Sequence, residues 1–146
     1  MYGPIVFSAY KNSGGIEEGN YFDNFDKFLT NQGNAFVLSD GIFTAQRTGT
    51  YEFSVSAFRN IAGYSRISVE QNGVDELTFL TWEKSGDYSD DTLTFNWIME
   101  LKQKDIIRIK VTSGRFNCES SSGCIFNGKY IWVYSPCAKY VVLFWL

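Results

Sequence analysis

Three short stretches of this chain carry residues able to do chemistry. The loop "SGDYSDD" holds Asp87, Asp90 and Asp91. Carboxylates clustered on a loop suit calcium, a hard cation that takes oxygen ligands. No D-x-D-x-D-G spacing accompanies them, so a solvated acidic loop is the competing reading. "DIIRIKVTS" sets Arg108 and Lys110 on one side of a strand pattern, with Lys102, Lys104 and Arg115 near in sequence. Such a stripe can capture anionic sugars, lipopolysaccharide or phosphate groups, against the alternative of a plain solvated strand face. Tyr64, Trp82 and Tyr88 offer rings for stacking on a sugar or for burial between subunits. Cys118 and Cys124 bracket "ESSSG", a loop short enough for a disulfide to close, contributing ~2 kcal/mol on a chain-entropy basis. Two unrelated thiols are the alternative. Cys137 is left over, either free or able to cross-link chains.

Catalysis is hard to build from this inventory. The chain has no histidine. That removes Ser-His-Asp and Cys-His mechanisms, the usual zinc sites and the commonest general base near neutral pH. Nothing around the acidic loop suggests a shielded cleft that would raise one carboxyl's pKa for acid–base work. A non-enzyme is expected. A net charge of -3 and a pI near 4.9 give no global attraction to nucleic acid.

The elements that must hold these residues are strands. A chain of 146 residues is one domain's worth, and its aromatic share of 18% favours pleated, half-buried surfaces. From Tyr51 onward every second residue (Tyr51, Phe53, Val55, Ala57) is apolar, the period of a strand with one buried face. Leu93, Phe95, Trp97, Met99 and Leu101 repeat that pattern, as do Ile107, Ile109 and Val111, which places Arg108 and Lys110 outward. Ser39-Asp40-Gly41 and Asn72-Gly73 mark turns. With no convincing helix, repeat or linker, the spacing predicts a sandwich or barrel of nine or ten short antiparallel strands. "MYGPIVFSAY" lacks the basic start and apolar length of a signal peptide. The longest apolar run, "YVVLFWL", is seven residues and falls far short of the ~20 that span a bilayer. No transmembrane segment is expected, and the chain is either cytosolic or has lost a secretory leader.

Between Phe25 and Val55 the spacing becomes more specific. Phe25, Asn31, Phe36, Phe43 and Gly49, followed by Tyr51 and Phe53, resemble the signature of the complement C1q globular-head family, within the wider tumour necrosis factor-like group. Val55 stands where that family expects an aromatic. "VFSAY" resembles the family's opening strand, "FDKFLTNQGNAF" its second segment and "GIFTAQRTGTYEFSV" its central hairpin, while Phe126 and Gly128 match the Phe-x-Gly of its last strand. The motif residues come from successive strands, so their rings can meet between two sheets and each remove ~150–250 Å² from water. They are expected to be core and to bind nothing, with Phe43, Tyr51, Phe53, Phe95 and Trp97 buried.

The resemblance implies a ten-stranded, two-sheet antiparallel jelly roll over residues 1–134, followed by a hydrophobic tail, 135–146, lying beyond the family's usual end. It further implies secretion, assembly as a homotrimer, and ligands held on loops and outer faces. Some family members bind calcium near the trimer apex, which bears on Asp87, Asp90 and Asp91. Otherwise no cofactor is implied. Arg108, Lys110, Arg115 and Tyr88 are the candidate ligand contacts. The leading expectation is a lectin-like innate-immune protein that binds microbial surface carbohydrates. A cytokine-like or synaptic-organiser ligand for a protein receptor is the alternative, and a structural matrix protein is third.

Overall fold

The computed structural model describes residues 3–59, 63–83, 91–119 and 123–131, with Arg59, Gly63, Trp82, Glu83 and Asp91 described by backbone alone. Among the described residues twelve strands follow one another: β1 (Val6–Lys11), β2 (Gly15–Glu17), β3 (Lys27–Gln32), β4 (Phe36–Val37), β5 (Ile42–Thr44), β6 (Gly49–Arg59), β7 (Gly63–Gln71), β8 (Val74–Glu83), β9 (Asp91–Leu101), β10 (Ile106–Ser113), β11 (Arg115–Asn117) and β12 (Cys124–Ile131). They form two antiparallel sheets. The first runs β3-β1-β12-β6-β9, with the short β2–β11 pair joined to the end of β6 through Asn117 and Phe58. The second runs β4-β5-β10-β7-β8. Among the described residues there is no helix.

Each long strand forms because its apolar residues fall every second position and face the other sheet. Tyr51, Phe53, Val55 and Ala57 on β6 are buried, as are Ile67 and Val69 on β7 and Ile107, Ile109 and Val111 on β10. The β7–β8 hairpin turns at Asn72 and Gly73, whose φ angles of 54° and 84° are the positive pair a two-residue turn of this hand requires. Asn72 also clasps the start of β10. Its Nδ2 donates to Asp105 Oδ1 at 2.9 Å, and its Oδ1 accepts from the Ile106 amide at 2.9 Å.

Two expectations need correcting. Phe95 is only half-buried, because β9 is an edge strand and the ring stacks on Phe79, itself half-buried, at 4.9 Å. The stretch from Ile42 to Val55 is no hairpin: β5 pairs with β4 and β10, while β6 pairs with β12 and β9. The intervening residues carry the chain from one sheet to the other. Phe43 therefore faces Tyr51 and Phe53 across the core, at 5.3 and 5.1 Å between ring centroids.

The core is an aromatic stack contributed by both sheets. Phe7 lies parallel to Phe36 at 4.3 Å and edge-on to Phe126 at 5.2 Å, and Phe53 stacks on Trp97 at 5.6 Å. The packing depends on one absent side chain. A Cβ on Gly128 would collide with the Phe7 ring and meet Phe53 Cδ1 at 2.8 Å. Gly128→Ala is therefore expected to lower stability by about 1–3 kcal/mol through overpacking. Urea unfolding checks this, and an unchanged midpoint would contradict it.

Candidate ligand-binding face

Because Ile67, Val69, Ile109 and Val111 point inward, their neighbours Arg66, Ser68, Glu70, Arg108 and Lys110 stand on the outer face of the second sheet. Register sets them opposite one another: Arg108 faces Glu70, Lys110 faces Ser68, and Ser68 in turn faces Thr78 on β8. One row further, Arg66 lies between Ser113 and Leu80.

The basic stripe read from the sequence is not uniform. Residues 19–22 continue the edge of β10 where β5 stops: the Phe22 amide donates to the Ile109 carbonyl, the Val111 amide to the Asn20 carbonyl, and the Gly19 amide to the Val111 carbonyl. This lays Tyr21 across the outer face. Its ring sits under the Arg108 guanidinium, 3.6 Å from centroid to Cζ, with Lys110 Nζ at 5.6 Å. Its hydroxyl donates to Glu70, 2.9 Å from Oε1. Burial, reinforced by that hydrogen bond, raises the Tyr21 pKa above the ordinary phenolic value. Arg108 also donates through Nη2 to the Asp40 carbonyl at 3.3 Å, and its Nε is buried. The side chain is committed to holding the 19–22 segment against the sheet.

Arg115 is engaged as well. Its Nε lies 3.0 Å from Glu17 Oε1 across the β2–β11 pair, an ion pair by distance rather than an aligned hydrogen bond. Lys110 takes part in no ion pair with a described residue, and neither does Arg66, which is exposed. Tyr64, 57% exposed, and Leu80, 52% exposed, flank Arg66 along the same outer face. Arg66 is not among the cations singled out from the sequence. Counting back from the Asn72-Gly73 turn would have placed it outward, two residues from Ser68.

The other expected sites divide in the same way. Cys118 and Cys124 form a disulfide, fully buried, with Cα atoms 5.0 Å apart. Phe25, Phe36, Phe43, Tyr51, Phe53 and Phe126 are all buried in the core, and Asn31 sits beside Phe7 on β3, half-buried. Asp87, Asp90, Tyr88, Cys137 and the tail 135–146 lie outside the described residues, and of Asp91 only the backbone is described. Among the described residues no group of three or more His, Cys, Asp or Glu side chains could hold a metal.

The first sheet's outer face differs in character. Thr30, Ser8, Asn127, Ser54 and Asn96 follow one another in register across β3, β1, β12, β6 and β9 and line an open hollow of about 280 Å³. The row is uncharged and its side chains are short.

A family model described as "C1q domain" matches residues 6–131. Comparison with solved structures finds the globular domain of a zebrafish complement 1qA protein, at TM-score 0.69 and 18% identity, covering 90% of this chain and all of that one. An Eiger TNF from S. frugiperda matches at TM-score 0.71 and 10% identity, covering 96% and 100% of the two chains. Murine APRIL matches at TM-score 0.63 and 14% identity, covering 88% and 100%. A sequence comparison with curated proteins finds no match.

The geometry at Tyr21 predicts a structural role for Arg108. Arg108→Ala is expected to cost about 1–2 kcal/mol by loss of a partly buried cation–π contact. Tyr21→Phe should cost about 1 kcal/mol by leaving Glu70 short of a donor. Equilibrium unfolding in urea measures both, and wild-type stability in the two variants would show that the contact holds nothing.

Proposed function

The chain belongs to the C1q domain family, and from that premise we propose that it is a secreted, trimeric recognition head that binds carbohydrates on microbial surfaces. The observation that carries the reading is the union of a rigid aromatic core with an outer sheet face bearing cations that no described carboxylate engages. The family's architecture supports ligand binding in general, and the absence of histidine keeps the reading away from catalysis. Among the described residues no helix is long and apolar enough to cross a membrane.

Two surfaces support association between copies. β8 pairs only with β7 and β9 only with β6 among the described residues, so both are edges. Leu77, Phe79, Leu93, Phe95 and Met99 line the gap between those edges and are incompletely covered. An apolar band of this kind is stabilised by burial against a partner. The shallow Ser8–Asn127–Ser54 row of the first sheet, flanked by the Glu52–Lys129 ion pair, is a surface on which the band of a second copy can pack. Repeating that head-to-tail contact three times closes a ring. Three weak sites on one trimer then give useful avidity on a repetitive surface.

Sedimentation at micromolar concentration is expected to give three times the chain mass of 16.7 kDa; a stable monomer would contradict the assembly. For the ligand, a glycan array and whole-bacteria binding assay, run with and without calcium, should be set beside pull-down with purified receptor ectodomains. Binding to glycans or bacteria is the expected result. A tight protein receptor with no glycan or microbial binding would instead establish the cytokine-like alternative. Loss of binding both on chelation and in Asp90→Ala would assign calcium to the Asp87, Asp90 and Asp91 loop, and binding indifferent to both would leave those acids without a role in it.

A further inference from the structure

The outer face of the second sheet is polarised along its strands. Glu70, Asp75 and Glu76 lie toward the Asn72-Gly73 turn, where Arg108 is opposite Glu70 and stacked on Tyr21. Toward the other end Lys110 lies opposite Ser68 and Arg66 lies two residues past it on β7, with no acidic residue between the two cations on this face. Two residues along a strand and one strand across place their Cα atoms roughly 8 Å apart. Two long side chains at that separation reach a shared ligand. Around them stand the Ser68 and Thr78 hydroxyls, 3.3 Å from each other, and the Thr112 hydroxyl, which approaches the Arg66 carbonyl at 3.4 Å. Tyr64 and Leu80 supply an exposed aromatic and aliphatic shelf beside Arg66.

This set is chemically specific. An arginine fork and a lysine point charge recognise carboxylate or sulfate groups, hydroxyls exchange hydrogen bonds with sugar hydroxyls, and an apolar shelf takes the C–H face of a sugar ring. The patch is positive on a chain whose net charge is -3, so it does not follow from general basicity. On the carbohydrate-recognition reading above, we propose that Arg66 and Lys110, with Tyr64, Leu80 and Thr78 around them, form the subsite for an acidic saccharide. Its anionic groups lie on the two cations and a sugar ring lies against Tyr64 and Leu80. Arg108 positions the Tyr21 segment beneath Lys110 and does not touch the ligand.

The test uses the full chain with heparin oligosaccharides as the sulfated probe, oligogalacturonate as the carboxylated probe and neutral dextran as control. Wild-type protein is expected to bind both acidic probes and not dextran, with binding that weakens as salt is raised. Arg66→Glu combined with Lys110→Glu is expected to weaken binding by at least about tenfold, because two attractive contacts become repulsive. Lys102 and Lys104 sit in the turn that Asp105 ties to Asn72, at the opposite end of the sheet from Arg66, so Lys102→Glu combined with Lys104→Glu makes the same change in net charge away from the patch and should leave binding unchanged. Circular dichroism and sedimentation confirm fold and assembly in each variant. Equal losses in the two double variants, or full binding by the Arg66/Lys110 variant, would overturn the subsite. Failure of both acidic probes on a protein that still binds array glycans or bacteria would overturn the subsite and spare the broader reading. Failure of every saccharide would end both.

Discussion

The two sheets close most tightly over position 128, which has no side chain. Phe7 from β1 and Phe53 from β6 pack over the Gly128 backbone of the strand between them. With that space filled, both rings would have to shift against their partners. Phe7 anchors Phe36, Phe43 and Phe126, and Phe53 anchors Trp97 and Phe43, so one small residue underlies contacts spanning both sheets. Aromatic pairs at these separations add a directional component to plain area burial. They fix how the sheets sit against each other, which generic aliphatic packing does less well.

A core so determined leaves the outer faces free to differ. The first sheet presents a row of short, uncharged Ser, Thr and Asn side chains beside the Glu52–Lys129 ion pair. The second carries a cluster of charge, much of it engaged internally: Glu70 is bonded to the Tyr21 hydroxyl and Arg108 to the Tyr21 ring. That cluster fastens the connection between β2 and β3 to the edge of β10. What remains after it is satisfied is the Lys110–Arg66 end of the face. Scaffold and recognition are therefore separable at the level of single residues, even where both use cations on one strand.

The sequence made the strands legible wherever alternation was long. β6, β9 and β10 need no more than a count of every second residue, which places Tyr51 and Phe53 in the core; Phe25, Phe36 and Phe43 are placed there by the family resemblance. Two-residue and three-residue strands such as β4 and β11 carry no period, and pairing across space creates them. The same limit explains the β5–β6 connection. A glycine between two apolar runs looks like a hairpin until each run's partners are known, and those partners are β10 and β12, far along the chain. Arg108 was visible as an outward cation, but not its capture by Tyr21. Nothing local to "GNYFDNF" signals that it will lie across β10. Arg66 stayed hidden because its importance comes from the strand beside it.

The central claim is that a fixed aromatic sandwich presents an acidic-sugar site on the outer face of its second sheet. Amide chemical-shift mapping during titration with a heparin oligosaccharide tests it most directly. The account predicts the largest shifts at Tyr64, Arg66, Ser68, Thr78, Leu80 and Lys110, with Ser8, Ser54, Asn96 and Asn127 unmoved. Shifts centred on the first sheet, or spread without a focus on β7, β8 and β10, would contradict it.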